Sequence, residues 1–370
     1  MRWVCLSAWL WFDCAASGQV RIAEFMAVGG DGLRDEDGDV VDWIEVVNGG
    51  VEAVDLAGYG LTDDGHDLGK WVFPQMELGA GERLLVFASG KSRREAAGEL
   101  HAGFGLDGGG EYLALVSPDG RVLQDFGEEF PEQREGVSYG SGVDGLVGYF
   151  AKPTPGAANG AVLLGFAGEV EFSVARGVFE APVRVELESG SPDARILYTT
   201  DGAEPTRLRG RVYGGPVEVG KTTVLRARAF VRGLVPSRTT TRTYLFPGQS
   251  ARGGELAASV AEDPDYEMLI KESLVSLPVL SLAVENAEMF GAGGIYTNAF
   301  GNGEIGVSVE FFNAGDEGEF GVDAGLRIHG GQAREHAKKP MRLHFRERYG
   351  APRLRFPLFA GSGVTGFDAL

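Results

Sequence analysis

Two lysines near the end of the sequence offer the clearest chemistry. Lys338 and Lys339 follow the pair Gly330-Gly331 after six residues and open a run that is typical of a β-strand. Backbone N–H groups of a glycine turn and lysine ammonium groups can share the oxygens of a polyphosphate. The pattern predicts a phosphate-binding segment, and a solvated basic hairpin is the alternative interpretation.

The local charge favours the same interpretation. From Gly325 to Phe356 the sequence has nine Lys or Arg residues against two Glu, although the formal net charge of the 370-residue chain is -19. A cationic segment of this kind suits the phosphates of a nucleotide. The acidic chain as a whole argues against nucleic acid as a partner, because a phosphate backbone demands the opposite sign.

A second candidate is the acidic run Asp35-Glu36-Asp37-Gly38-Asp39. An EF-hand requires glycine at the sixth loop position, where this chain has Val40, so that pattern fails. A weak calcium loop of another kind between Asp35 and Asp42 stays open, and a solvated acidic turn is the favoured alternative. We therefore assign no metal site.

Other catalytic patterns are weak. His329, His336 and His344 form no metal-ligand pattern with nearby cysteines or carboxylates. The sequence has no Gly-x-Ser-x-Gly elbow. Its many carboxylates do not single out a glycosidase pair without a structure.

The elements that position these residues are predicted to be strands. Length suggests two or three domains, 44% of residues are hydrophobic, and 58 glycines are spread through turn sites between short apolar runs. Such spacing is typical of β-sandwiches. The strands predicted for the first two domains are Val41–Val47, Arg83–Ala88, Glu111–Val116, Val183–Leu187, Arg195–Thr199 and Val224–Phe230.

The first eighteen residues are typical of a secretory signal, with an apolar run from Trp3 to Phe12 and a cut near Gln19. A first buried strand is the alternative. Both cysteines, Cys5 and Cys14, fall inside this segment, so the exported chain would contain none. No later stretch is long and apolar enough to span a membrane. We therefore expect a secreted protein, located outside the cell, at its surface or in the periplasm.

Composition also predicts the domain boundaries. Residues 19–143 form a first β unit, 144–168 an open linker rich in proline and glycine, and 169–246 a second β unit. In the second unit, alternating arginines such as Arg226, Arg228 and Arg242 are expected on the solvent side of strands. Residues 247–276 are a linker with a short helix over Asp263–Ser273, and residues 277–370 open a third unit.

The first unit resembles the lamin-tail domain of bacterial secreted proteins. The resemblance rests on Ala23–Ala27, Asp42–Glu45, Leu56–Asp63, Trp71–Pro74 and Leu85–Gly90, which occur in the expected order. It implies an immunoglobulin-like sandwich with a binding or spacer role. The second unit is similar to the chitobiase/hexosaminidase C-terminal domain through Tyr198–Thr206, Tyr213–Val217 and Leu225–Phe230. That resemblance implies a second small sandwich without catalysis, in which a spacer role is favoured over sugar binding.

The third unit resembles the start of the CotH kinase family. The matching segments are Leu277–Leu282, Asn286–Phe290, Gly294–Asn298, Val307–Phe312 and Arg327–Phe345. The resemblance implies the N-terminal part of an α+β atypical kinase-like domain that uses ATP with Mg²⁺ or Mn²⁺. It implies that Lys338 or Lys339 holds the phosphates while Arg327, His329 and Gly330 shape the turn before them. The acidic catalytic residues are expected beyond Leu370, so these residues alone would be inactive.

Two functions follow from this organisation. The first is a secreted kinase-type protein in which two sandwiches precede a domain that phosphorylates protein hydroxyls. The second is a non-catalytic cell-surface or matrix protein with adhesion modules, whose partner would be a protein or a polysaccharide. Acidic catalytic residues downstream would distinguish the two.

Overall fold

A computed structural model describes residues 19–29, 32–250, 257–261, 263–312, 318–359 and 361–370. The predicted signal segment and both cysteines lie outside these residues. The chain divides into two compact units, Met1–Val162 and Leu163–Leu370. Strands dominate both units, which confirms the predicted mainly β fold class. Among the described residues, no helix is long and apolar enough to cross a membrane.

The first unit is a β-sandwich. Its strands are β1 (Val20–Met26), β2 (Asp42–Asn48), β3 (Val54–Asp55), β4 (Gly60–Thr62), β5 (Trp71–Val72), β6 (Glu77–Leu78), β7 (Arg83–Ala88), β8 (Leu100–Ala102), β9 (Ala114–Val116), β10 (Val122–Asp125), β11 (Ser138–Ser141) and β12 (Val147–Phe150). One sheet has the order β12-β11-β1-β2-β7-β8 and the other β10-β9-β4-β5. Strands β3 and β6 form a separate pair.

Alternation along the strands builds two apolar layers in this unit. Phe25, Ile44 and Trp71 are buried in the main core, where the Phe25 and Phe130 rings meet edge to face with centroids 4.9 Å apart. Trp43 lies next to Ile44 on β2 and belongs to a smaller cluster with Met26 and Phe87. Strand neighbours point to opposite faces, so the six-stranded sheet is covered on both sides.

The predicted strands of this unit differ from the observed ones mainly at their ends. The structure places β7 on the predicted Arg83–Ala88, while β9 begins at Ala114 rather than Glu111. The turn after β9 closes with a hydrogen bond of 2.9 Å from the Gly120 N–H to the Ser117 carbonyl. Residue preferences therefore predicted this turn correctly, whereas they predicted the start of β9 less accurately.

The first half of the predicted linker belongs to the first unit. Residues 147–150 form β12, and Asn159 is 5% exposed. The Asn159 side-chain amide donates to the carbonyls of Ala23 (2.8 Å) and Ser141 (2.9 Å). We call residues 153–159 the strap. The prediction of an open joint there differs from the structure, because buried polar groups of the sandwich take the hydrogen bonds of this segment.

The second unit contains another sandwich. Its strands are β13 (Val170–Phe172), β14 (Gly177–Val178), β15 (Val183–Val185), β16 (Leu187–Ser189), β17 (Arg195–Thr199), β18 (Arg211–Val212), β19 (Val217–Val219), β20 (Thr223–Phe230) and β21 (Thr240–Leu245). The main sheet has the order β14-β21-β20-β17-β18, and the pairs β13–β16 and β15–β19 complete the layer. Tyr244, Leu225 and Val185 are fully buried in its core.

The third region of the chain also lies in the second unit. Its elements are α1 (Pro247–Ser250), α2 (Ala258–Ala261), α3 (Pro264–Val275), β22 (Val279–Ala283), α4 (Asn286–Phe290), β23 (Ile305–Phe312), β24 (Phe320–Ile328), β25 (Met341–His344), β26 (Leu354–Arg355) and β27 (Gly366–Phe367). Strands β22 to β25 form one antiparallel sheet in chain order. The Asp263 carboxylate accepts from the Asp265 N–H and caps α3, which begins at Pro264.

The alternating arginines of β20 and β21 are not simply solvent-exposed, so that prediction was wrong for Arg226. Arg226 is buried, with 9% of its surface exposed. The Arg242 Nη1 atom lies 3.7 Å from Glu310 Oε1 on β23, and Arg176 Nε lies 3.4 Å from the same oxygen. These arginines face the acidic residues of the β22–β25 sheet, which alternation within one strand could not reveal.

Candidate functional site

The predicted phosphate segment begins where β24 ends. Gly330 has a φ of +98°, a conformation that side chains disfavour. The His329 N–H donates to the Pro340 carbonyl at 2.9 Å, and residues Gln332–Glu335 form one 3₁₀ turn between them. The structure therefore brings His329 and Gly330 beside the residue that follows Lys339.

The two lysines have different surroundings. The Lys339 ammonium donates to the carbonyls of Arg334 (2.6 Å) and His336 (3.2 Å) and lies 5.4 Å from the centroid of the Tyr296 ring. Lys339 thus closes the 3₁₀ turn. Lys338 is exposed, and no ion pair of its side chain occurs among the described residues. Of the two, Lys338 is the one whose charge is available to a ligand.

Arg327 lies on the other face of the sheet. Leu326 and Ile328, its neighbours on β24, are buried in the core cluster against which Tyr296 also packs. Alternation places Arg327 on the opposite, polar face, where its Nε lies 2.9 Å from Glu304 Oε2. The structure therefore separates Arg327 from Lys339, although the sequence grouped them at one site.

Glu304 was not predicted from the sequence, and it organises the basic end of this sheet. Its side chain is 3% exposed and meets Arg327, Arg348 and Arg346, the last with Nη2 at 3.3 Å. Burial alone would raise the pKa of Glu304. The hydrogen bond from Arg348 and the charges of the three arginines outweigh burial and lower that pKa.

The sequence held no local signal for Glu304. It precedes β23 by one residue, whereas its partners follow on β24 and after β25. The antiparallel register places Gly306 opposite Gly325 and so brings these distant segments together. The contact between a carboxylate before one strand and arginines after another can be predicted only when that register is known.

The acidic run 35–39 is an ion-paired turn. The Lys91 ammonium bonds Asp35 (2.5 Å), Asp37 (2.6 Å) and Asp39 (2.9 Å), which are close enough together to hold a metal ion. These hydrogen bonds raise the pKa of Lys91. Burial acts to raise the pKa of Asp35, yet the hydrogen bonds from Lys91 and from backbone N–H groups lower it. A calcium ion would have to displace Lys91.

A Ser–His–Glu arrangement beside this turn was not predicted. Ser89 Oγ lies 2.8 Å from His101 Nδ1, and His101 Nε2 lies 3.9 Å from Glu36 Oε1. His101 is fully buried and stacks on Phe87. A base that no substrate can reach does not serve nucleophilic catalysis, so these residues support the fold.

Two buried carboxylates of the first unit hold its strap. Glu24 and Glu45 lie opposite each other on β1 and β2. Glu24 accepts from the Thr154 N–H at 3.1 Å and from its hydroxyl at 2.8 Å, and Glu45 accepts from the Gly156 N–H at 2.5 Å and from Arg83. Burial raises the pKa of Glu45 against these bonds. The paired carboxylates are occupied by the chain itself.

Two family models match separate parts of the chain. Residues 14–129 match the Lamin Tail Domain, and residues 174–241 match the Chitobiase/beta-hexosaminidase C-terminal domain. Both resemblances predicted for the first two β units are thereby confirmed. Both matches end before residue 277, so the resemblance to CotH kinases has no support from them. No curated protein matches the chain. The protein is mostly β, with one module similar to lamin tails and one similar to chitobiase C-terminal domains.

Proposed function

We propose that this chain is a secreted multidomain protein whose two β-sandwiches serve as binding or spacer modules. The supporting observation is that the buried carboxylates of the first sandwich are bonded to other parts of the same chain. Glu24 and Glu45 hold the strap, and Asp35 holds Lys91. Groups committed to the fold are not available as acids, bases or nucleophiles.

The two family matches support the same proposal. Neither family, by the resemblance argued from sequence, implies an active site, and each forms a small immunoglobulin-like sandwich. Partners in this role are a protein or a polysaccharide at the cell surface. Export is part of the proposal, and mass spectrometry of the protein from its native host should find the N-terminus near Gln19; intact Met1 inside the cell would contradict it.

A second candidate function concerns residues 277–370. In this proposal they are the N-terminal part of a CotH-type kinase-like domain that binds ATP with Mg²⁺ or Mn²⁺. The observation that favours it is the exposed Lys338 close in sequence to the left-handed turn at Gly330. Lys338 would meet phosphate oxygens, while Lys339 holds the backbone turn in shape.

Titration of the full chain with ATP and Mg²⁺ distinguishes the two functions. The binding-module proposal expects no ATP affinity that depends on Lys338. The kinase-like proposal expects binding that Lys338→Met weakens about tenfold or more, since one charge-assisted contact contributes roughly 1.5–3 kcal/mol. Lys221→Met, at an exposed lysine of the second sandwich, is the matched control. Equal affinity in wild type and Lys338→Met would remove Lys338 from the site.

A further inference from the structure

The charge on the polar face of the β22–β25 sheet changes from one end of the face to the other. We define this face by the side chains opposite the core, which alternate with core residues along each strand. Its members are Ser281, Ser308, Glu310, Asp323, Gly325, Arg327, Arg342 and His344. Acidic residues occupy one end of the face, and basic residues occupy the other.

The acidic end has partners from the second sandwich. Glu310, whose side chain is 2% exposed, lies between Arg176 and Arg242. The charges of Arg226 and Arg238 act on Asp323 and oppose the rise in its pKa that burial causes. Arginines of the sandwich thus balance the carboxylates at this end.

The charges at the basic end are arranged differently. Arg327, Arg346 and Arg348 all converge on the carboxylate of Glu304. Arg342, which lies directly opposite Arg327 in the β24–β25 register, is exposed and has no ion pair with another described residue. Like charges directly opposite each other on neighbouring strands destabilise a sheet. An anion bound between them would remove that cost.

His344 lies among the same charges. It is opposite Gly325 on the same face. Burial lowers the pKa of its imidazole; the charge of Glu304 acts to raise that pKa, and the charges of Arg346, Arg327 and Arg342 act to lower it. His344 is therefore close enough to feel Glu304 and the three arginines together.

Glycine at position 325 lets the cluster form. A Cβ atom there would lie 2.6 Å from Cε2 of Tyr349 and 2.7 Å from Cδ of Glu304, closer than such atoms approach. The Glu304 carboxylate therefore packs directly against the backbone of the sheet at Gly325, where it contacts three guanidinium groups. The side chains of Arg327 and Arg346 remain 40% and 46% exposed, so their other N–H groups can reach a ligand.

We propose that Arg327, Arg342 and Arg346 form a binding site for a phosphate-bearing small ligand. Guanidinium groups present two parallel N–H donors that match the oxygens of phosphate. The net charge of -19 disfavours a nucleic-acid polymer as the source of that phosphate. The three arginines lie on the polar face of the sheet. Lys339 contacts Tyr296, which packs against the core on the opposite face. The arginine site therefore does not depend on the proposed nucleotide segment.

Calorimetric titration of the full chain with inorganic pyrophosphate tests this site. The double variant Arg342→Met/Arg346→Met alters two exposed arginines, and we expect a loss of affinity of about tenfold or more from the lost charge-assisted hydrogen bonds. Arg195→Met, at an exposed arginine of β17, should keep the wild-type affinity, and Lys338→Met is titrated beside it to separate the glycine turn from the arginine site. Circular dichroism of each variant checks that the fold is retained.

Three results with the wild type and the double variant, and a fourth with Lys338→Met, would overturn the proposal. The first three are no measurable binding of pyrophosphate by the wild type, unchanged affinity in the double variant, and binding of citrate as tight as that of pyrophosphate. The third result would assign the arginines to polycarboxylates instead. If Lys338→Met alone weakens pyrophosphate, the phosphate site lies at the glycine turn and the arginine site is wrong.

Discussion

Lys91 contacts three carboxylates of one turn, so its removal should expose their mutual repulsion. We expect Lys91→Met to lower the thermal stability of the first unit, because Asp35 is buried beside Asp37 and Asp39. Added calcium should stabilise this variant more than the wild type, since Lys91 would no longer compete with the ion for the three carboxylates. Thermal unfolding with and without calcium measures both effects, and Lys152→Met is the control.

The effect of Lys91 should also depend on pH. The folded-state pKa of Asp35 is lowered, so its stabilising contribution is present above the ordinary Asp pKa of about 3.9 and is lost as the pH falls through the folded value. The difference between wild type and Lys91→Met should therefore be full near neutral pH and shrink in acid. A calcium response or a stability difference equal to that of the control would contradict this account.

At the scale of elements, the strap is bound to β1 and β2, the two central strands of the first sandwich. Asn159→Ala leaves the carbonyls of Ala23 and Ser141 without their donor, and we expect a loss of roughly 1–3 kcal/mol in the free energy of unfolding. Denaturant titration followed by tryptophan fluorescence measures it. Ala158→Ser, at an exposed neighbour, should change little. Equal stability of both variants would restore the prediction of an open linker.

For the whole molecule, the second sandwich and the β22–β25 sheet share buried charges. Arg242→Met leaves Glu310 with one fewer partner in a buried setting, where breaking an ion pair costs about 3–5 kcal/mol at most. Because Arg176 remains near Glu310, we expect the loss to lie at or below the lower end of that range. In Arg242→Met, the protection of backbone amides against hydrogen exchange should fall in β20–β21 and in β23–β24 together.

The double variant Arg242→Met/Glu310→Leu should recover part of that loss, because the uncompensated Glu310 charge is removed while Arg176 keeps Glu319 as a partner at 3.9 Å. Hydrogen exchange and denaturation of the full chain measure both variants. Loss of protection confined to the sheet, with the sandwich unchanged, would mean that the two parts unfold independently. The sandwich would then act as a spacer rather than as a support for the sheet.

Short-range patterns in the sequence predicted several strands and turns and the family resemblances of the first two modules. Alternation gave β7 and β17 at their observed bounds, and the Ser117–Gly120 turn followed from proline and glycine preferences. The helix predicted over Asp263–Ser273 appears as α3 from Pro264 to Val275. These features depend on φ preference and on burial of one strand face, which neighbouring residues already specify.

Only the tertiary structure decided which charges meet. Local pattern treated Arg226 as solvated and grouped Arg327 with Lys339, whereas packing buried the first and placed Arg327 on the opposite sheet face. Glu304 and Lys91 had no signal at all, because their partners are far along the chain. Electrostatic contacts depend on distance in space, and strand register sets that distance, so no count of neighbouring residues could supply them.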